Sequence, residues 1–243
     1  MARTRKTHTQ TEMTFRTHGG RREGAGRPPR GKRSSERHKA RPAHDPHHPI
    51  HVTLRVVADV SSLRRRDMYM QLREATIVTA RREDFRIVHM SIQRNHVHLI
   101  VEADHKEALS RGMQGFSISA AKRVNSTITE RTGVRRTGRV VADRFHARPL
   151  TSPRAVRHAL AYVLNNYRRH GEDRAGVART WKIDPFSSGA VFPGWRELED
   201  SPFLWPLRPT YHPLIVFRPR TWLLAKGWQA HHPLISTREV PGG

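Results

Sequence analysis

Four residues carry chemistry that the rest of the chain must organise. His96 and His98 bracket Val97 in "RNHVHLIVEA", and Tyr162 and Asn166 stand four apart in "AYVLNNYRRHG". In an extended strand, residues i and i+2 face the same side, roughly 7 Å apart at the backbone. Two imidazoles placed this way can share a divalent ion and leave positions open for water or phosphate. Residues i and i+4 share one face of a helix, so the phenol and the carboxamide project together. A free tyrosine, with a pKa of about 10, is a poor nucleophile at neutral pH. A metal-bound phosphate is a far better electrophile, because the ion withdraws charge as the oxyanion develops. Attack by the phenol would leave a covalent phosphotyrosine that keeps the bond energy for rejoining.

The elements that must position these residues are legible in the pattern. "IHVTLRVVA" (50–58) alternates and is rich in β-branched residues, a strand signal. Residues 62–81 read as a helix. "FRIVHMSIQ" (85–93) and "HVHLIVEA" (96–103) are two strands joined by the polar pair Arg94-Asn95, a hairpin signature. Between residues 106 and 131, Leu109, Met113, Phe116, Ala120, Val124 and Ile128 recur at steps of three and four. That is a long amphipathic helix, weakened by Gly112 and Gly115. "ADRFHARPLT" (142–151) reads as a fourth strand. Ser152 then suits an N-cap, Pro153 the first helical position, and Gly171 the stop after Arg168, Arg169 and His170, which predicts a helix over 153–170. The order strand, helix, strand, strand, helix, strand matches the split β-α-β pattern. The expected class is therefore α+β: a ferredoxin-like βαββαβ sheet with an additional helix carrying Tyr162.

Around this domain, assigned to 49–180, the composition changes. Residues 1–48 hold 13 Lys/Arg, four acids and almost no large apolar side chains, so they read as a disordered basic arm. Within "HDPHHPIH" (44–51), Pro46 and Pro49 break any regular ligand spacing, and the stretch reads as a mobile His-rich linker. Residues 181–243 form a Pro- and Trp-rich extension, expected to be extended with little regular structure. The whole chain carries a net charge of +24, which argues for a polyanionic partner, nucleic acid first. There is no cysteine, which excludes disulfides, zinc ribbons and a thiol nucleophile. No apolar run is long enough to span a membrane. The expected location is cytoplasmic, on the nucleoid.

With 17 histidines in 243 residues, a His-x-His triplet is weak by itself. Combined with the tyrosine helix it is specific. The Asn-His-Val-His-Leu-Ile-Val core and the later Tyr-x-x-x-Asn helix resemble the single-tyrosine HUH transposases of the IS200-like kind. They are most similar to the subgroup associated with repetitive extragenic palindromes. The resemblance spans roughly residues 49–195, including "RFHARPL" and "WKIDPFSSG". It implies a transposase that cleaves and rejoins single-stranded DNA beside hairpins, as a monomer or homodimer, with Mg²⁺ or Mn²⁺. By resemblance His96, His98 and Asn166 are the metal ligands, and Tyr162 is the nucleophile that forms a 5′-phosphotyrosine. Two positions depart from the family habit. Gln93-Arg94 replaces Met-Pro before the Asn-His core, and Asn166-Tyr167 replaces Asn-Pro, which creates a second tyrosine.

Tyr167 lies about 140° around the helix from Tyr162. It continues the apolar stripe Val156, Leu160 and Val163, so Tyr162 is preferred as nucleophile. Lys122 and Arg123 on the long helix, Arg144 on the fourth strand, and Arg168 and Arg169 at the end of the tyrosine helix are candidate DNA contacts. Two other readings are a hairpin-binding protein without transposition and a basic RNA-binding or structural protein. Deleting residues 1–45 removes a net nine positive charges, 13 basic minus four acidic. The log–log salt dependence of hairpin-DNA affinity should then become shallower, with cleavage chemistry retained. An unchanged slope in a salt titration would show that the arm does not touch DNA.

Overall fold

A computed structural model of the chain describes residues 44–174, 176–201, 204 and 210–242. The expected basic arm lies outside the described residues as far as residue 43. The elements follow the expected order: β1 (Ile50–Arg55), α1 (Arg66–Ala80), β2 (Phe85–Ile92), β3 (His96–Ala103), α2 (Lys106–Thr132), β4 (His146–Pro149) and α3 (Pro153–Arg169). The sheet order is β2-β3-β1-β4, antiparallel throughout. β3 thus sits between β1 and β2, the ferredoxin-like arrangement that the sequence pattern predicts.

Period-2 side-chain alternation divides the sheet into two faces. Val97, Leu99, Val101 and Ala103 of β3, with Ile50, Val52 and Leu54 of β1, pack against α1 and α2. The opposite face carries His96, His98 and Ile100, and Ile100 packs under α3 with Val156, Leu160 and Val163. With helices on both sides, β3 is buried along nearly its whole length. This explains why it reads as an apolar run punctuated by two histidines.

The ends of the elements have local causes. α3 begins where Ser152 Oγ accepts from the Ala155 amide at 3.2 Å, with Pro153 next. It ends where Gly171 takes φ +66°, which lets the Glu172 amide donate to the Tyr167 carbonyl at 2.9 Å. The β2–β3 connection is a two-residue hairpin closed by Gln93 N–H donating to His96 O at 2.9 Å. Its exposed tip is buttressed, because the carbonyls of Arg94 and Asn95 accept from Leu63 and Val56. β1 ends at Arg55, short of the expected Ala58, because Val56 and Val57 donate to Asn95 and Val140 instead. α1 starts at Arg66 because Arg64 turns away to bind Ile92 O and Asp184.

The stretch beyond residue 180 has short helical turns, as at Ser188–Val191 and Trp222–Ala225, and is otherwise irregular. It is nonetheless part of the core. Phe192, Trp195, Trp228 and Ile235 are buried with α3 on the second face of the sheet. Buried Glu102 of β3 clasps it, accepting from the amides of Arg220 and Thr221 and from Thr221 Oγ1, while Arg86 donates to the same carboxylate. "WKIDPFSSG" has a plain structural task. β2 bulges between Ile87 and His89, and the Met90 amide donates to Ser188 Oγ at 3.1 Å.

The two glycines of α2 are not equivalent. A Cβ on Gly112 would lie 2.2 Å from the Phe85 ring, so α2 crosses β2 at contact distance. At Gly115 the nearest atom would be Val78 Cγ1 at 3.8 Å, an ordinary contact. Gly112→Ala should therefore cost about 1–3 kcal/mol by overpacking. Gly115→Ala should stabilise by about 0.5–1 kcal/mol through helix propensity. Urea denaturation of the two variants checks the opposite signs.

Candidate active site

His96 and His98 do share a face, with ring centroids 4.7 Å apart. α3 lies across them, and the Tyr162 ring stands edge-on to His98 with centroids 5.1 Å apart. Antiparallel pairing sets Thr53 of β1 opposite His98 and Arg55 opposite His96, with His51 one step along the same face. The His51 ring is 5.2 Å from His98 and 5.7 Å from Tyr162. His170, at the end of α3, reaches the other side of the cluster, 5.6 Å from His96.

The hydrogen bonds leave both candidate ligands with the same nitrogen available. His98 Nδ1 is 3.1 Å from His51 Nε2 and 3.2 Å from Thr53 Oγ1. His96 Nδ1 is 2.8 Å from Asn95 Oδ1. With Nδ1 protonated and donating in each ring, Nε2 is the lone-pair nitrogen, the tautomer a metal ligand requires. His98 Nε2 is buried and has no hydrogen-bond partner. Asn166 is fully buried, one helical turn beyond Tyr162, and neither atom of its amide has a partner. Gln93, beside His96 across the hairpin, has its Oε1 buried and unpaired as well. Buried polar atoms without partners are uncommon and costly. Their concentration here fits a ligand set completed by an ion, with His98 Nε2 and Asn166 Oδ1 as donors. Among the described residues, no three His, Cys, Asp or Glu side chains converge on a common ion position. Asn166 offers a buried, unpartnered amide oxygen as a further donor.

Burial dominates the electrostatics. Desolvation, reinforced by the neighbouring His170 and Arg55 charges, lowers the His96 pKa to about 4. Desolvation, then His51 and His96, lowers that of His98 to about 2. His51 falls to about 4, again mainly by burial. All three are neutral at physiological pH, as ligation requires.

The second tyrosine faces elsewhere. Tyr167 is fully buried, and its hydroxyl donates to Lys182 O at 3.2 Å. Of the candidate DNA contacts, Arg169 is exposed with its guanidinium 6.0 Å from the Tyr162 ring centroid. Arg168 is engaged internally. It donates to Asp173 and to the carbonyls of Thr237 and Lys182, and it lies over the Tyr167 ring. Lys122 and Arg123 belong to α2, on the other side of the sheet from Tyr162. Arg144 is exposed just ahead of β4. β4 also sets His146 and Arg148 opposite Thr53 and His51, on the side where Tyr162 stands.

Sequence reasoning missed His51, His170 and Gln93. His51 lies within the His-rich stretch read as a linker, yet it is the second residue of β1. The alternation of "IHVTLR" carried the signal that its side chain shares the face of Thr53.

No curated protein matches the chain closely enough to count as a relative. A solved structure described as "Structure of the REP associates tyrosine transposase bound to a REP hairpin" is similar at 18% identity and a TM-score of 0.47, over 74% of this chain and 99% of that one. Residues 46–166, from just ahead of β1 through Asn166, match the family described as transposase IS200 like. By that match over the sheet, both histidines and the tyrosine helix, the chain belongs to the IS200-like transposase family.

Proposed function

We propose that this transposase nicks and rejoins single-stranded DNA beside a hairpin, with Tyr162 as nucleophile and Mg²⁺ or Mn²⁺ held by His96, His98 and Asn166. One observation carries the reading. The Tyr162 ring stands against His98, whose buried Nε2 lacks a partner, and the equally unpartnered Asn166 amide follows one turn along the same helix. A divalent ion held there supplies positive charge to the phosphate oxygens as negative charge develops on them. The chain's own residues do the rest. Tyr162 Oη gives up its proton and bonds to phosphorus as the bond to O3′ breaks, and the released 3′ oxygen takes up a proton, so none is gained or lost overall. The phenol then carries the 5′ end. Rejoining reverses the step with a 3′ hydroxyl, so no external energy source enters.

Positioning follows from the packing. Val156, Leu160 and Val163 pin α3 to the sheet, so Tyr162 cannot swing far from the histidines. His51 and Thr53 hold the His98 ring through Nδ1. Arg169 places a positive charge beside the phenol, suited to a phosphate approaching it. The net charge of +24 supports a DNA partner, and no helix among the described residues is long and apolar enough to cross a membrane.

Incubation with Mn²⁺ and a labelled hairpin bearing a single-stranded flank should leave DNA covalently attached to protein after denaturation. Tyr162→Phe should bind DNA and form no adduct. His96→Ala and His98→Ala should each reduce adduct by more than about a hundredfold, while weakening binding only modestly. Tyr167→Phe should lose about 1 kcal/mol of stability and still form adduct. Label mapped to the peptide of Tyr167 would move the nucleophile. Tight hairpin binding with no adduct from any variant would favour a binder that does not transpose.

The buried imidazoles also set a pH dependence of stability. Unfolded histidines take up protons near pH 6.5, whereas folded His51, His89 and His96 resist until about 4 and His98 until about 2. Their folded pKa values are depressed, so stability is full above about 6.5 and falls as the pH drops towards 4. The Tm without metal should decline by more than about 5 °C between pH 7 and pH 5. A flat Tm over that window, read by calorimetry, would mean that water reaches the rings.

A further inference from the structure

We propose that a cavity between α1 and residues 177–186 and 210–212 is a recognition pocket for one unpaired nucleobase of the DNA strand that reaches Tyr162. The proposal rests on the reading of single-stranded DNA as substrate. The cavity measures about 460 Å³, within the range of small-ligand sites. Its walls are aromatic. Tyr69 and Tyr211 stack at 6.3 Å, Phe186 stands edge-on to Tyr69 at 5.6 Å, and Trp181 lies 6.3 Å from Phe186. Both phenol hydroxyls are already engaged, donating to His212 O and Pro185 O, so they compete little for a ligand.

The charges select the ligand. Arg66 and Lys182, both exposed, line the cavity, and no carboxylate lines it among the described residues. A flat heteroaromatic group attached to a phosphate meets these conditions, since bases stack on aromatic side chains and the backbone pairs with cations. A cationic or purely aliphatic ligand does not meet them.

The pocket is tied mechanically to the catalytic residues. The Ile92 amide, at the end of β2, donates to Phe186 O at 2.8 Å. Lys182 O accepts from Tyr167 and Arg168 of α3, the helix that carries Tyr162. Four of its aromatic and cationic walls, Trp181, Lys182, Phe186 and Tyr211, lie beyond the 46–166 segment that matches the family. The pocket therefore adds a choice of target base that the shared chemistry does not make.

The test uses the full chain without divalent metal, so binding is read apart from cleavage. Fluorescence anisotropy would follow a labelled hairpin with a single-stranded flank, in which an abasic residue is stepped through every flank position. One position should stand out, with affinity reduced about tenfold. In Trp181→Ala the intact strand should bind as weakly as that abasic strand, and the position effect should vanish; Trp181→Phe should restore it. Lys182→Glu, which alters only an exposed charge, should weaken binding overall while keeping the position effect. A flank in which no abasic position matters, or the same position effect in Trp181→Ala, would overturn the pocket. Competition by free deoxynucleoside monophosphates at micromolar concentration would overturn it too, by making a free nucleotide the ligand. A protein that binds neither hairpin nor flank would remove the DNA reading itself, with the pocket.

Discussion

Arg64 and Asp184 form a forked ion pair, 2.9 and 2.8 Å, with 6% and 0% of their side chains exposed. Burial pushes the Asp184 carboxyl up, and the Arg64 charge and hydrogen bonds oppose this. Arg64 also donates to Ile92 O and lies 4.5 Å over the Phe186 ring. One guanidinium thus joins the approach to α1, the end of β2 and the segment leaving α3. Removing either partner would strand a buried charge at about 3–5 kcal/mol. The hairpin that presents His96, the segment that leaves α3 and the aromatic cavity all meet at this fork.

Around that junction the two faces of the sheet divide the labour. The face under α1 and α2 is apolar and continuous, and it supplies most of the burial of a small α+β domain. The face under α3 is mixed. Apolar contacts under the first turns of α3 give way to imidazoles and amides under the last ones. Unpaired buried polar atoms weaken the fold where they stand. Most of those among the described residues gather around the end of α3, clamped by Arg64 on one side and by the packed C-terminal stretch on the other.

The parts visible in the sequence were those governed by short periods. The alternation of β3 placed His96 and His98 together, and the i, i+4 spacing placed Asn166 beneath Tyr162. The Ser-Pro start and Gly171 stop fixed α3 to within a residue. What the sequence hid depends on distant partners. Gly112 read as a weak point of α2, because only the fold reveals the Phe85 ring against it. His51 was obscured by neighbouring prolines and histidines that play no part in β1. The stretch after residue 180 has no regular period, so its apolar residues announced burial without saying where. Arg168 read as a DNA contact like Arg169, and only its partners Asp173, Thr237 and Lys182 separate the two.

The second core is closed by residues far along the chain. Val156 and Leu160 lie against Ile100 early, but Trp228, Ile235 and the Glu102 clasp on Arg220 and Thr221 complete that side. During synthesis the ribosome releases β3 and α3 well before these partners emerge. Until then the helix bearing Tyr162 rests on an unfinished surface, and the apolar seam beneath it is open to water. A nascent product therefore has Tyr162 without the packing that holds its helix. The order of translation thus leaves the setting of that tyrosine until these last residues have emerged.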